Sequence, residues 1–141
     1  MSNANDARDE QAIRKLTEDW LAAVRDRDVA RLIGMVTDDV VFLPPGFPPI
    51  RGTQAVEAMY HNFFPQFAGV EQAATIEEVE VAGDWAFTWG FESLSLLPKT
   101  GGAGIQMQGK GMSILRRQAD GSWKFARGIN NSAPLRTPPG N

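Results

Sequence analysis

From Trp85 to Ser132, apolar residues alternate with small or polar ones in three runs, separated by Pro98-Lys99-Thr100-Gly101-Gly102 and by Asp120-Gly121. Alternation bounded by such turn residues predicts three consecutive antiparallel strands joined as hairpins. A fourth long strand is expected over Gly69 to Val81, with Gly83-Asp84 turning the chain into Trp85. Its alternation lapses at Glu77-Glu78, where a bulge is expected.

Upstream the period changes. Ile13, Leu16, Trp20 and Val24 recur at spacings of three and four, which predicts a helix from Asp6 to Arg27. Asp6 and Asp9 suit its positive end, Arg25 and Arg27 its negative one. Asp28 is the expected N-cap of a second, short helix that buries Val29, Leu32, Ile33 and Val36. Thr37-Asp38-Asp39 is read as its stop, ahead of a short strand Val40-Val41-Phe42-Leu43. The proline-rich stretch from Pro44 to Pro49 predicts a stiff loop. A third helix, with Thr53 as its N-cap, carries the stripe Val56, Met59, Tyr60, Phe63 and Phe64 and ends at Pro65. The order is helix, helix, strand, helix and a four-stranded meander. That is an α+β class, its helices gathered on one side of an antiparallel sheet.

Register assigns the faces. A two-residue turn at Asp120-Gly121 pairs Gly111 with Asn130 and Ser113 with Gly128. A loop from Pro98 to Gly104 pairs Leu97 with Ile105, Phe91 with Gly111 and Trp89 with Ser113. Directly paired residues share a face. One face is therefore expected to hold Phe87, Trp89, Phe91 and Ser93 beside Gly109, Gly111, Ser113, Gly128 and Asn130. Aromatic walls beside glycines make either a cavity or gaps that Trp20, Phe63 and Phe64 fill from the helices. The opposite face is expected to carry Glu92, Lys110, Met112, Ile129 and Asn131, a mixed surface suited to a homodimer interface.

Composition narrows the classes. With 141 residues, 43% hydrophobic and 22% charged, the chain reads as one globular domain. Residues 1–133 are assigned to it, and 134–141 to a disordered, Pro-rich tail. A net charge of -3 argues against a nucleic-acid partner. Without cysteine there is no disulfide, thiolate nucleophile or Cys-ligated metal. No apolar run is long enough to span a bilayer, so no membrane partner is expected and a cytoplasmic location follows by default.

Several short motifs carry a resemblance. They are Trp20 with Asp28, Asp39-Val40-Val41-Phe42 before Pro44, and Ile50-Arg51-Gly52. Further along come Gly109-Lys110-Gly111 and the run from Arg116 to Lys124. In this order they resemble the SnoaL-like and ketosteroid-isomerase-like members of the nuclear transport factor 2-like superfamily. The resemblance implies a cone-shaped α+β barrel, in which a strongly curved antiparallel sheet is wrapped by three helices around a ligand cavity. It also implies frequent homodimers. Steroid isomerases of this fold carry a basic aspartate just before a proline after the first strand; here that position is Leu43, which takes no proton. Many relatives read Arg-Asp-x-Trp-Asn near the end, where this chain has Arg127-Gly128-Ile129-Asn130-Asn131.

Chemistry-bearing residues are sparse. His61, the single histidine, falls off the apolar stripe of its helix and reads as a surface residue. Glu92 and Lys110 read as a structural pair on the outer face. No metal site and no cofactor are expected. Three functions remain open. The first is a protein binding a small apolar ligand with Trp20, Tyr60, Phe64, Trp89 and Phe91, oriented by Ser113 and Asn130. The second is a cofactor-independent isomerase or cyclase acting on a polycyclic or other apolar substrate. The third is an association module with a vestigial pocket.

Overall fold

The computed structural model describes residues 4–135. In chain order the elements are α1 (Ala4–Asp26), α2 (Val29–Gly34), β1 (Val36–Leu43), β2 (Ile50–Arg51) and α3 (Gly52–Phe63). A 3-10 turn (Phe64–Gln66) leads into β3 (Phe67–Ala82), β4 (Trp85–Pro98), β5 (Ile105–Arg117), β6 (Trp123–Asn130) and β7 (Ala133–Pro134). The class is α+β as expected: three helices against a curved, seven-stranded sheet that does not close. The strand order is β2-β1-β6-β5-β4-β3, with β7 pairing β5. Every pairing is antiparallel except that of β1 with β6, which is parallel.

The stripe of α1 buries Ile13 and Val24 fully and packs Leu16 and Trp20 against the core. The helix ends in a Schellman arrangement, with Arg27 N donating to Val24 O (3.1 Å) and Asp28 N to Ala23 O (2.9 Å). Arg27 takes the left-handed position at φ 55. Its guanidinium holds that end of α1 to the start of β3 by donating to the Phe67 and Ala68 carbonyls. The opposite end is clamped by Asp9. Its carboxylate accepts from both Nη atoms of Arg117 (2.8 and 2.6 Å) and from Trp123 Nε1 (3.2 Å). The Arg117 fork lies 4.5 Å over the Trp123 ring, so one carboxylate ties α1 to β5 and β6 together.

Asp28 caps α2 as expected, its carboxylate accepting from Arg31 N at 3.2 Å. Two local expectations give way. Thr37-Asp38-Asp39 does not stop the chain but continues β1, because Met35 O accepts from Phe125 N (2.9 Å) and Val36 pairs with Phe125. A long-range partner outweighs the local breaker signal. Thr53 is not the cap of α3. The N-cap is Arg51, without a side-chain bond, and the helix opens through Gly52 at φ 83.

In the sheet, the expected bulge in β3 falls between Ile76 and Glu78. There Gly90 is obligatory, since a Cβ on it would meet Thr75 O at 1.9 Å. The β5–β6 register holds Gly111 opposite Asn130 and Ser113 opposite Gly128, as expected. The turn does not. Gln118 N donates to Ser122 O (2.7 Å) and Asp120 accepts from Ser122 N (2.9 Å), so the connection is longer and Arg117 faces Trp123. A shift between Ile114 and Leu115, which brings Leu115 opposite Phe125, restores the register.

The β4–β5 register is one residue from the expectation. Leu96 pairs with Ile105, Gly90 with Gly111 and Trp89 with Met112. Because side chains alternate, this slip exchanges the two faces of β4. Ala86, Thr88, Gly90 and Glu92 look inward with Leu115, Ser113, Gly111 and Gly109; Phe87, Trp89 and Phe91 look outward with Ile114, Met112 and Lys110. Exposure agrees: Ala86 and Thr88 are buried, whereas Trp89 is 37% and Phe91 46% exposed.

At the C-terminal end, Pro134 pairs with Met107 and Leu135 N donates to Gln106 O at 2.9 Å, so the sheet extends into the expected tail. The rest of that tail, 136–141, lies outside the described residues. Among the described residues, no helix is long and apolar enough to cross a membrane.

Candidate functional site

Between the inward face of the sheet and the helices lies a cavity of about 230 Å³. The helices present Trp20 and Leu21 from α1 and Met59 and Tyr60 from α3; β1 adds Phe42 and Leu43, and β6 adds Phe125, Gly128 and Asn130. Trp20 organises the aromatic wall, meeting Phe42, Tyr60 and Phe125 edge-on at 5.4 to 6.1 Å between centroids. The sheet supplies mainly small residues. A Cβ on Gly128 would stand 3.0 Å from the Phe42 ring, and one on Gly111 2.8 Å from Glu92 Oε2. The glycines therefore make room for neighbouring side chains that enter from other strands.

Among the described residues, Glu92 is the one charged residue lining the cavity. Its Oε1 accepts from Ser132 Oγ at 3.2 Å, and no ion pair reaches it among the described residues. Burial pushes its pKa up from the ordinary carboxylate value, a shift partly opposed by the Ser132 hydrogen bond. Burial, with the Glu92 charge nearby, also pushes the Tyr60 phenol up. Lys110, on the outward side of β5, lines a broader surface depression that Glu92 also borders.

The expected site residues divide. Trp20, Tyr60, Ser113 and Asn130 line the cavity, with Asn130 Oδ1 already accepting from Ser132 N at 3.0 Å. Phe64 is 5% exposed and belongs to the core, stacked on Tyr60 at 5.2 Å. Trp89 and Phe91 border the cavity, but the register turns their side chains outward, where Trp89 Nε1 donates to Glu78 at 2.8 Å. Glu92 moves the opposite way, from the expected interface into the cavity. Lys110, Met112 and Ile129 stay outward, whereas Asn131 lies past the end of β6, its Oδ1 accepting from Lys110 N at 2.7 Å. His61 is exposed, its Nε2 3.8 Å from Glu57. The small, uncharged faces of Ala86, Thr88 and Gly90 opposite Leu115, Ser113 and Gly111 were the available sign of the true register; the aromatic alternation beside them is the stronger pattern. Among the described residues, no group of three or more His, Asp or Glu is arranged to hold a metal ion.

Fold and cavity together define a cone-shaped α+β domain with an aromatic, singly charged interior. The sequence model of the SnoaL-like domain family matches residues 17–126. The chain belongs to that family, and its cone has the nuclear transport factor 2-like fold. Among solved structures it is similar to a conserved protein from Planctomyces limnophilus DSM 3776, at 36% identity and a TM-score of 0.84 over 92% of this chain and 99% of that one. It is similar to a ketosteroid isomerase-like protein from Erwinia carotovora atroseptica SCRI1043, at 28% identity and a TM-score of 0.77 over 86% of this chain and 94% of that one. It is also similar to LinA, at 25% identity and a TM-score of 0.83 over 99% of this chain and all of that one (100%). None of the curated proteins matches the chain in sequence.

Proposed function

We propose that this domain binds a small apolar molecule in its cone cavity. The observation that supports the reading most is the wall of Trp20, Phe42, Tyr60 and Phe125 along a cavity of about 230 Å³ whose lining is more apolar than polar. That volume is below the roughly 300–1,000 Å³ of pockets for drug-sized ligands, which suits a molecule of one or two rings. Ser113 and Asn130 offer polar atoms to orient it. Calorimetry with 4-phenylbutan-1-ol tests the reading. Ser113→Trp fills the cavity and abolishes binding, while Trp89→Ala, on the outer face, leaves it within about twofold. Equal binding by the Ser113→Trp variant would refute it.

An isomerase- or cyclase-like activity is the second reading, and Glu92 favours it by placing a titratable group inside the cavity. Homodimerisation through the outer face of the sheet is proposed alongside. Trp89, Phe91, Met112 and Ile129 leave an apolar surface there, exposed by 37 to 51%. Lys110 remains on that face; Glu92 does not.

A further inference from the structure

We propose that the cavity selects organic cations, taking a protonated amine with a small apolar body whose ammonium group pairs with Glu92. The inference rests on the apolar-ligand reading above and adds the charge of the ligand. Its basis is an imbalance in the cavity wall. Among the described residues, the lining includes one carboxylate and no lysine, arginine or histidine. Ser132 Oγ satisfies Oε1, but Oε2 receives no donor among the described residues; it lies over the bare backbone of Gly111, where any side chain would displace it. A carboxylate held against apolar walls with one hydrogen bond carries a desolvation penalty that a bound cation offsets and a bound anion aggravates.

The walls point the same way. Trp20, Phe42 and Tyr60 are aromatic, and the face of an aromatic ring attracts a cation held within about 6 Å of its centroid. Ligands with a carboxylate or phosphate meet Glu92 without a compensating positive group on the cavity wall. The charged or titratable groups facing Glu92 are Tyr60 from α3 and, across the adjoining depression, Lys110 of β5. Lys110 lies on the outward side of its strand and makes no ion pair with Glu92.

The test compares three molecules of one skeleton: 4-phenylbutylamine, 4-phenylbutan-1-ol and 4-phenylbutanoate. Binding to the wild-type chain and to Glu92→Gln is measured by calorimetry. At neutral pH the amine is expected to bind about tenfold more tightly than the alcohol, roughly the effect of one partly screened ion pair, and the acid more weakly than either. In Glu92→Gln the amine's advantage over the alcohol disappears, and the variant's circular dichroism spectrum reports whether it is folded. With the wild type, amine affinity falls as pH drops through the raised Glu92 value, whereas alcohol affinity stays level. That measurement decides the matter if the variant does not fold. Binding of the alcohol with no preference for the amine overturns the cation inference and leaves the apolar pocket standing. Failure of all three to bind overturns both.

Discussion

Replacing Asp9 with alanine removes the acceptor that fastens α1 to the sheet. Three hydrogen bonds are lost, from Arg117 Nη1 (2.8 Å), Arg117 Nη2 (2.6 Å) and Trp123 Nε1 (3.2 Å), although Arg117 Nη2 keeps its bond to Gly83 O (3.3 Å). Hydrogen bonds to charged groups contribute about 1.5–3 kcal/mol each, and breaking a buried pair costs about 3–5 kcal/mol. Side-chain exposure of 13% for Asp9 and 28% for Arg117 admits some water. Asp84, 3.4 Å from Arg117 Nε, keeps part of the guanidinium's charge paired. A loss of about 3 kcal/mol is therefore expected, or roughly 10 °C in Tm for a domain of this size. Arg117 holds the Asp9 carboxyl below its ordinary pKa against the opposing effect of burial. A lowered folded-state pKa confers stability that is present above the unfolded-state value and lost as pH falls through the folded one. The gap between wild type and Asp9→Ala should thus be full at pH 7 and narrow in acid, below the usual carboxylate range. Urea unfolding followed by circular dichroism at both pH values measures it. A loss under about 1 kcal/mol at pH 7, the value of an exposed surface pair, or a gap that does not narrow in acid, would refute the clamp.

Gly90→Ala forces a methyl group to within 1.9 Å of Thr75 O; a loss of at least about 3 kcal/mol is expected in the same assay, and wild-type stability would show the bulge to be misplaced. Trp20→Ala removes the hub of the aromatic wall and should cost about 3–5 kcal/mol while reducing 4-phenylbutan-1-ol binding; a stable variant with unchanged binding would contradict the packing. Ile129→Asp puts a charge on the outward sheet face, where the residue is 51% exposed. It should shift sedimentation towards monomer without lowering Tm by more than a few degrees, and an unaltered oligomer would discard that face as the interface.

The helices were legible because their signals are local. The spacing of Ile13, Leu16, Trp20 and Val24 and the Asp28 cap each rest on a few neighbouring residues. Pairing of Gly111 with Asn130 was also readable, although the turn and the bulge that produce it were not: they offset one another by one residue. The β4–β5 connection contains no motif that fixes its length, and one residue there decides which side chains enter the cavity. Hydrophobic alternation favoured putting Trp89 and Phe91 inside. In the structure Trp20, Tyr60 and Phe42 fill that space from α1, α3 and β1, so the sheet contributes small residues and its aromatics stay outside. The Asp9 clamp joins positions more than a hundred residues apart (|i−j|=108) and left no local trace.

The parallel seam between β1 and β6 has a consequence for how the chain is made. Val41 meets Arg127, and Leu43 meets Ile129, so that edge of the first strand stays open until β6, far downstream in the sequence, has been made. The two-residue β2 covers only the opposite edge of β1. Contacts this distant in sequence slow folding and prolong the exposure of strand edges. A nascent chain halted before Trp123 therefore holds β1 without the strand that pairs along that edge, and its dependence on chaperones should end abruptly once β6 emerges.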